Sequence, residues 1–82
     1  MGILQIDEIR EDLKANSISI TIKTEIYRKT LQKLIDVQGV SSKDKAARDL
    51  LVDQLQELNA SISKLVNEQK ELLEELYNAR HL

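Results

Sequence analysis

The clearest pattern in the sequence is a row of mostly apolar residues in its second half, spaced alternately by four and three positions. The row extends over about four heptads and is not interrupted by proline or glycine. This spacing places the row on one face of a long helix, as in coiled coils and helix bundles. The predicted seam consists of Leu51, Leu55, Leu58, Ile62, Leu65, Gln69, Leu72, Leu76 and Ala79.

Three further apolar residues lie beside this seam. Val52, Val66 and Leu73 widen the apolar stripe, which suits a helix bundle better than a two-stranded coiled coil. Gln69 is the one polar member of the seam, where a buried amide can fix the register or stoichiometry of paired helices. We therefore expect this helix to form an interface between chains.

A different period governs residues 17–23. Polar and β-branched residues alternate strictly in Ser-Ile-Ser-Ile-Thr-Ile-Lys, a pattern that predicts a half-buried strand. Alternate side chains of a strand point to opposite faces. The two predicted faces are Ile18, Ile20 and Ile22 on one side, and Ser19, Thr21 and Lys23 on the other.

Helical patterns flank this predicted strand. Apolar residues at helical spacing in 3–15 predict a short helix before it, ending at Asn16–Ser17. A second helix is predicted to begin with Thr24 as N-cap and to end at Gly39 in the left-handed conformation. Ser41 or Ser42 would cap the long helix that follows. The predicted fold is mostly α, with one short strand, and oligomeric.

Composition supports an oligomer. The chain has 82 residues, no Cys and no Pro, so disulfide bonds cannot stabilise its small core. A domain of this size usually needs a metal, a disulfide or a partner chain, and self-association is the expectation that remains. Apolar runs are too short to span a membrane, and we expect a cytoplasmic protein.

Charge is unevenly distributed along the chain. The formal net charge is −2, yet residues 17–48 carry a net charge of +4 between acidic flanks of −2 and −4. A basic middle segment indicates a surface that faces an anionic partner, although solvated helix faces carry similar charge.

Residues suited to catalysis are scarce. His81 is the only histidine, and the two glycines form no phosphate-binding loop. The acids Glu68, Glu71, Glu74 and Glu75 are more typical of a solvated helix face than of a metal site. We expect no enzyme activity, no cofactor and no metal site.

The middle of the chain resembles the ribbon–helix–helix DNA-binding domains of the Arc/MetJ/CopG repressors. The resemblance rests on the alternating segment that leads into Thr24–Tyr27, the aliphatic pair Leu34–Ile35, and the turn Gly39–Ser42. It covers residues 17–58, after an N-terminal helical arm at 1–16. Residues 59–82 would then be a coiled-coil oligomerisation helix, in a layout similar to that of the repressor Mnt.

This resemblance implies a way of binding double-stranded DNA. Two chains would pair their strands antiparallel, bury Ile18, Ile20 and Ile22, and insert the ribbon into the major groove. The start of the long helix, which is the second helix of the family domain, would receive a phosphate. The implied DNA-binding residues are Ser19, Thr21, Lys23, Ser41, Ser42, Lys43 and Lys45.

Two functions therefore remain open from the sequence. The first is a small self-associating DNA-binding regulator of the repressor type. The alternative is a coiled-coil structural or assembly protein without DNA binding, such as an adaptor, an assembly chaperone or an accessory part of a phage virion. Its partner would then be another protein of a larger assembly. A DNA reader must keep Ser19, Thr21 and Lys23 accessible, whereas an assembly protein is free to bury them.

Overall fold

Two long helices joined by a short turn make up the fold. The structure, a computed structural model, describes the backbone of residues 2–81 and the side chains of residues 5–81. Helix α1 comprises Gly2–Asp36 and helix α2 comprises Ser42–Arg80. They form a rod of 62 × 14 × 12 Å. Met1 and Leu82, the end residues of the first and last predicted segments, lie outside the described residues.

The helices pack side by side in antiparallel orientation. Asn16 donates a hydrogen bond from Nδ2 to the carbonyl oxygen of Leu65 at 2.8 Å, and Lys23 donates from Nζ to Ser61 Oγ at 2.5 Å. Positions further along α1 thus meet positions earlier in α2. The rod has a closed end at the turn and an open end at the two termini.

The strand predicted at residues 17–23 is wrong, because this segment lies within α1 and residues 2–81 contain no strand. The ribbon–helix–helix resemblance is therefore wrong as well, since that fold needs a strand for its ribbon. The predicted helix end at Asn16–Ser17 and the cap at Thr24 also fall inside the continuous helix.

The alternating segment is helical because the described part of the hairpin offers it no partner strand, whereas α2 packs along it. A single strand would leave its backbone groups without partners, whereas the helix satisfies them internally. β-branched residues cost a helix only a few tenths of a kcal/mol each. Thr21 also places its hydroxyl in the helix, donating from Oγ1 to the carbonyl oxygen of Ser17 at 3.0 Å.

The three isoleucines of this segment do not share a face. Ile20 is half-buried, whereas Ile18 and Ile22 are 51% and 55% exposed. Successive residues of a helix are rotated by about 100°, so an i, i+2 pattern spreads around its circumference. The predicted common burial of Ile18, Ile20 and Ile22 is therefore not present within the chain.

Helix α1 carries a heptad seam of its own, which the alternating pattern concealed. Its spacings alternate between three and four, and each member is buried or half-buried. Two long heptad helices can therefore pair along most of their length. The α1 seam consists of Ile6, Ile9, Leu13, Asn16, Ile20, Lys23, Tyr27, Thr30 and Leu34.

Side chains of α2 organise the turn. Ser41 is the N-cap of α2, as predicted, and its Oγ accepts a hydrogen bond from the backbone N–H of Asp44 at 3.2 Å. Arg48 donates to the carbonyl oxygens of Val37 and Gly39, which ties the end of α1 to α2. The predicted left-handed conformation of Gly39 is wrong, because no glycine of the described chain has positive φ. A Cβ at Gly39 would collide with the Asp44 carboxylate, so a larger residue here would need that side chain to move.

We expect Ser41→Ala to lower the free energy of unfolding by about 1 kcal/mol, because it removes the N-cap acceptor of α2. The matched control is Ser42→Ala, which changes the adjacent serine within the first turn and leaves the cap intact. Urea denaturation followed by circular dichroism at 222 nm measures both variants. Equal effects of the two substitutions would contradict the assigned cap.

Candidate interaction surface

The predicted α2 seam faces α1 of the same chain. Leu55 is 8% exposed, and the other members of the seam are half-buried. The seam is therefore used first within the hairpin. An interface between chains through the same residues stays a prediction for Leu51, Leu55, Leu58, Ile62, Leu65, Gln69, Leu72 and Leu76.

The hairpin encloses little apolar surface. Ile9 and Leu55 are the only apolar side chains among the described residues that are buried. The chain exposes 6475 Å², whereas a compact monomer of its mass is expected to expose about 5,000 Å². The hairpin thus exposes about 1,500 Å² more than a compact monomer of its mass.

Polar residues interrupt the α1 seam at intervals of seven. Asn16, 6% exposed, uses Nδ2 to bond Leu65, but its Oδ1 is buried without a hydrogen-bond partner. Lys23 is half-buried and bonds Ser61. Thr30 satisfies its hydroxyl by donating to the carbonyl oxygen of Ile26 at 2.8 Å. Asn16 is therefore the member of this set with an unmet acceptor.

A groove of about 420 Å³ lies beside Asn16 between the helices, towards the open end. We call it the acidic groove because four carboxylates share its lining with the Asn16 side chain. Its defining residues are Asp12, Asn16, Glu68, Glu71 and Glu75.

A second groove, of about 410 Å³, lies between the helices towards the closed end. We call it the lysine groove because Lys23 is the one basic residue in its lining. The grooves share a flank of the rod, since Ser19 and Ile26 of α1 line one each and are seven residues apart. The defining residues of the lysine groove are Lys23, Ile26, Thr30, Glu57 and Ser61.

The three residues predicted to read DNA bases lie apart on α1. Ser19 is half-buried and lines the acidic groove, and Lys23 lines the lysine groove. Thr21 is exposed and bonds the backbone of its own helix. Without a ribbon these side chains do not form one reading surface.

The residues predicted to receive a phosphate lie together at the start of α2. Ser42, Lys43 and Lys45 are exposed, but Ser41 donates from its Oγ to Asp44 Oδ2 at 2.8 Å. The Asp44 carboxylate therefore lies in the first turn of the helix, where its negative charge would oppose a bound phosphate. DNA contact by Ser41, Ser42, Lys43 and Lys45 stays a prediction.

Large apolar side chains are exposed on several sides of the rod. One row on α1 follows the i, i+4, i+8 spacing of a helix face, and a second group lies mostly on the opposite flank from the grooves. Isolated exposed apolar residues are ordinary on protein surfaces, whereas large contiguous apolar patches mark interaction sites. The α1 row is Ile18, Ile22 and Ile26, and the second group is Leu31, Val52, Val66, Leu73 and Tyr77.

Folding converts the charge pattern of the sequence into a charge difference between the two ends of the rod. Residues 18–65, which form the closed half, carry eight bases and six acids, whereas the rest of the chain carries four bases and eight acids. The halves therefore have net charges of +2 and −4.

One ion pair occurs among the described side chains. Arg28 and Glu25 lie 2.6 Å apart on the exposed surface of α1, one helical turn from each other. Hydrogen bonding by the Arg28 guanidinium lowers the pKa of the Glu25 carboxyl below its ordinary value. Most bases of the closed half thus have no carboxylate partner within the described chain.

Comparisons with protein-family models, curated proteins and solved structures found no match for this chain. Within the described residues, neither helix has a segment long and apolar enough to cross a membrane. No group of three or more acidic or histidine side chains in that part of the chain is placed to hold a metal ion.

Proposed function

We propose that the chain is a non-catalytic, self-associating helical hairpin that acts as a structural or assembly module. The observation that carries this proposal is the exposed surface, about 1,500 Å² more than a compact monomer of this mass presents. Two chains that covered this excess would bury about 3,000 Å² together, within the range of obligate homodimers.

The elongated shape of the rod also supports self-association, because an elongated chain exposes more surface than a compact one. Its radius of gyration is 18.5 Å, compared with about 12 Å for a compact domain of this length. Two helices cannot surround a core, because each presents most of its circumference to solvent. Pairing two hairpins produces four helices, which can form a bundle around a shared core.

Sedimentation equilibrium of the whole chain tests the proposal. We expect a mass of at least twice 9.4 kDa at micromolar concentration, with dissociation on dilution. Monomer across the whole concentration range would overturn the proposal.

A titration with random-sequence duplex DNA at two salt concentrations distinguishes the two functions that the sequence left open. An assembly module is expected to leave the duplex unbound at low salt. Binding that weakens steeply as salt increases would indicate contacts with phosphates and would favour the DNA-binding alternative.

A further inference from the structure

We infer that two hairpins associate antiparallel through the flank that carries the grooves, so that Lys23 of each copy enters the acidic groove of the other. This inference rests on the proposed self-association and adds the surface, the orientation and the contacts. The partner is a second copy of this chain.

The side chain of Asn16 in the acidic groove has an acceptor without a hydrogen-bond donor. Asn16 Oδ1 is buried and has no partner, and a buried acceptor without one is costly. Glu68, Glu71 and Glu75 line the same groove and make no ion pair with the described chain. A cationic donor would satisfy the amide oxygen and the surrounding carboxylates together.

The lysine groove holds a suitable donor. An ammonium group has three N–H donors, and Ser61 Oγ accepts one from Lys23. Glu57 lines the same groove but does not lie within ion-pairing distance of Lys23. The half-buried ammonium therefore has donors to spare.

The positions of Asn16 and Lys23 along α1 allow a two-fold axis to place the acidic groove of one copy opposite the lysine groove of the other. Asn16 and Lys23 occupy equivalent positions of successive heptads, on either side of the middle of α1. A two-fold axis close to Ser19 and Ile20, perpendicular to the rod, sets Asn16 of one copy opposite Lys23 of the other. A two-fold interface is isologous, so this contact forms twice.

The net charges of the two halves of the rod, and the apolar surface on this flank, agree with the same orientation. Antiparallel copies set the closed half, with net charge +2, beside the open half, with net charge −4. Parallel copies would place like charges together. Ile22 and Ile26, 55% and 46% exposed, border the lysine groove side of α1 and would be covered near the axis.

The distance between the two turns of the dimer tests the orientation. The chain has no cysteine, and Val40 in the turn is 85% exposed, so a spin label on Val40→Cys is unique and accessible. Pulsed electron paramagnetic resonance should give a distance approaching the 62 Å length of the rod. A short distance, with both turns at one end, would overturn the antiparallel arrangement.

Charge reversal tests the contact. Glu68→Lys places a lysine in the acidic groove and should raise the dimer dissociation constant by about tenfold or more. The control, Glu74→Lys, makes the same charge change at an exposed position of the same helix that lines neither groove. It should change the constant by less than about threefold.

The double variant Glu68→Lys with Lys23→Glu restores opposite charges across the interface and should recover most of the lost affinity. Circular dichroism verifies that each variant remains helical. A monomeric wild-type chain would overturn the proposed function itself. A dimer with equal responses to Glu68→Lys and Glu74→Lys, or without recovery in the double variant, would overturn only this inference.

Discussion

Thr21→Pro is expected to lower the free energy of unfolding by about 3 kcal/mol or more. Thr21 lies in the interior of α1, where proline removes the backbone donor and its ring collides with the carbonyl of Ser17. Urea denaturation followed by circular dichroism at 222 nm measures the loss. A reduction of less than 1 kcal/mol would contradict the continuous helix.

Two further variants separate a proline effect on a helix from a general one. Ser42→Pro should be tolerated, because Ser42 is the first residue of α2 and the ψ of 163° at Ser41 suits a residue before proline. Thr21→Ala should leave stability unchanged or raise it by a few tenths of a kcal/mol, because alanine favours helices. A clear loss with Thr21→Ala would instead indicate a strand at residues 17–23.

Leu55→Ala is expected to cost about 2 to 3 kcal/mol of stability. Leu55 is the buried apolar residue of α2 and faces α1, so its truncation leaves a cavity in the seam as well as removing apolar burial. The expected loss lies near the lower end for such substitutions because two helices can relax towards each other.

The same substitution at Leu73 provides the control. Leu73 lies on the same helix but is 51% exposed and lines neither groove, so Leu73→Ala should change stability by less than about 1 kcal/mol. Denaturation of both variants at one protein concentration gives the comparison. Similar losses at Leu55 and Leu73 would contradict the assigned seam.

The second half of the fold could be predicted from the sequence because its pattern is unambiguous. From Leu51 to Ala79 the seam has one polar member, so the helix is confirmed, and Ser41 is the cap of the two serines that the sequence offered. The half-buried seam likewise confirms a coiled-coil-like helix.

The first half was mispredicted because two periods coincide in it. Residues 17–23 fit an alternating strand pattern, while Asn16, Lys23 and Thr30 interrupt the heptad seam that reveals the helix. The interaction that makes this segment helical is packing against α2, which lies about 40 residues further along the chain. A pattern of neighbouring residues cannot predict a contact with such a distant segment.

The grooves depend on the same long-range pairing. The sequence predicted a role for Lys23, but in DNA binding. It predicted that the glutamates of α2 form a solvated helix face. The unpartnered oxygen of Asn16 could not be foreseen, because it follows from which α2 carbonyl the Asn16 amide reaches. The charge asymmetry is visible in the sequence. It becomes a charge difference between the two ends of the rod once the chain folds back on itself.

The dependence of unfolding on protein concentration tests whether a second copy covers the exposed surface of the hairpin. Urea denaturation would be recorded by circular dichroism over a hundredfold range of concentration. The midpoint is predicted to rise with concentration, because association stabilises the folded chain by mass action. A midpoint that stays the same throughout the range would show that the hairpin is stable alone, and would contradict self-association.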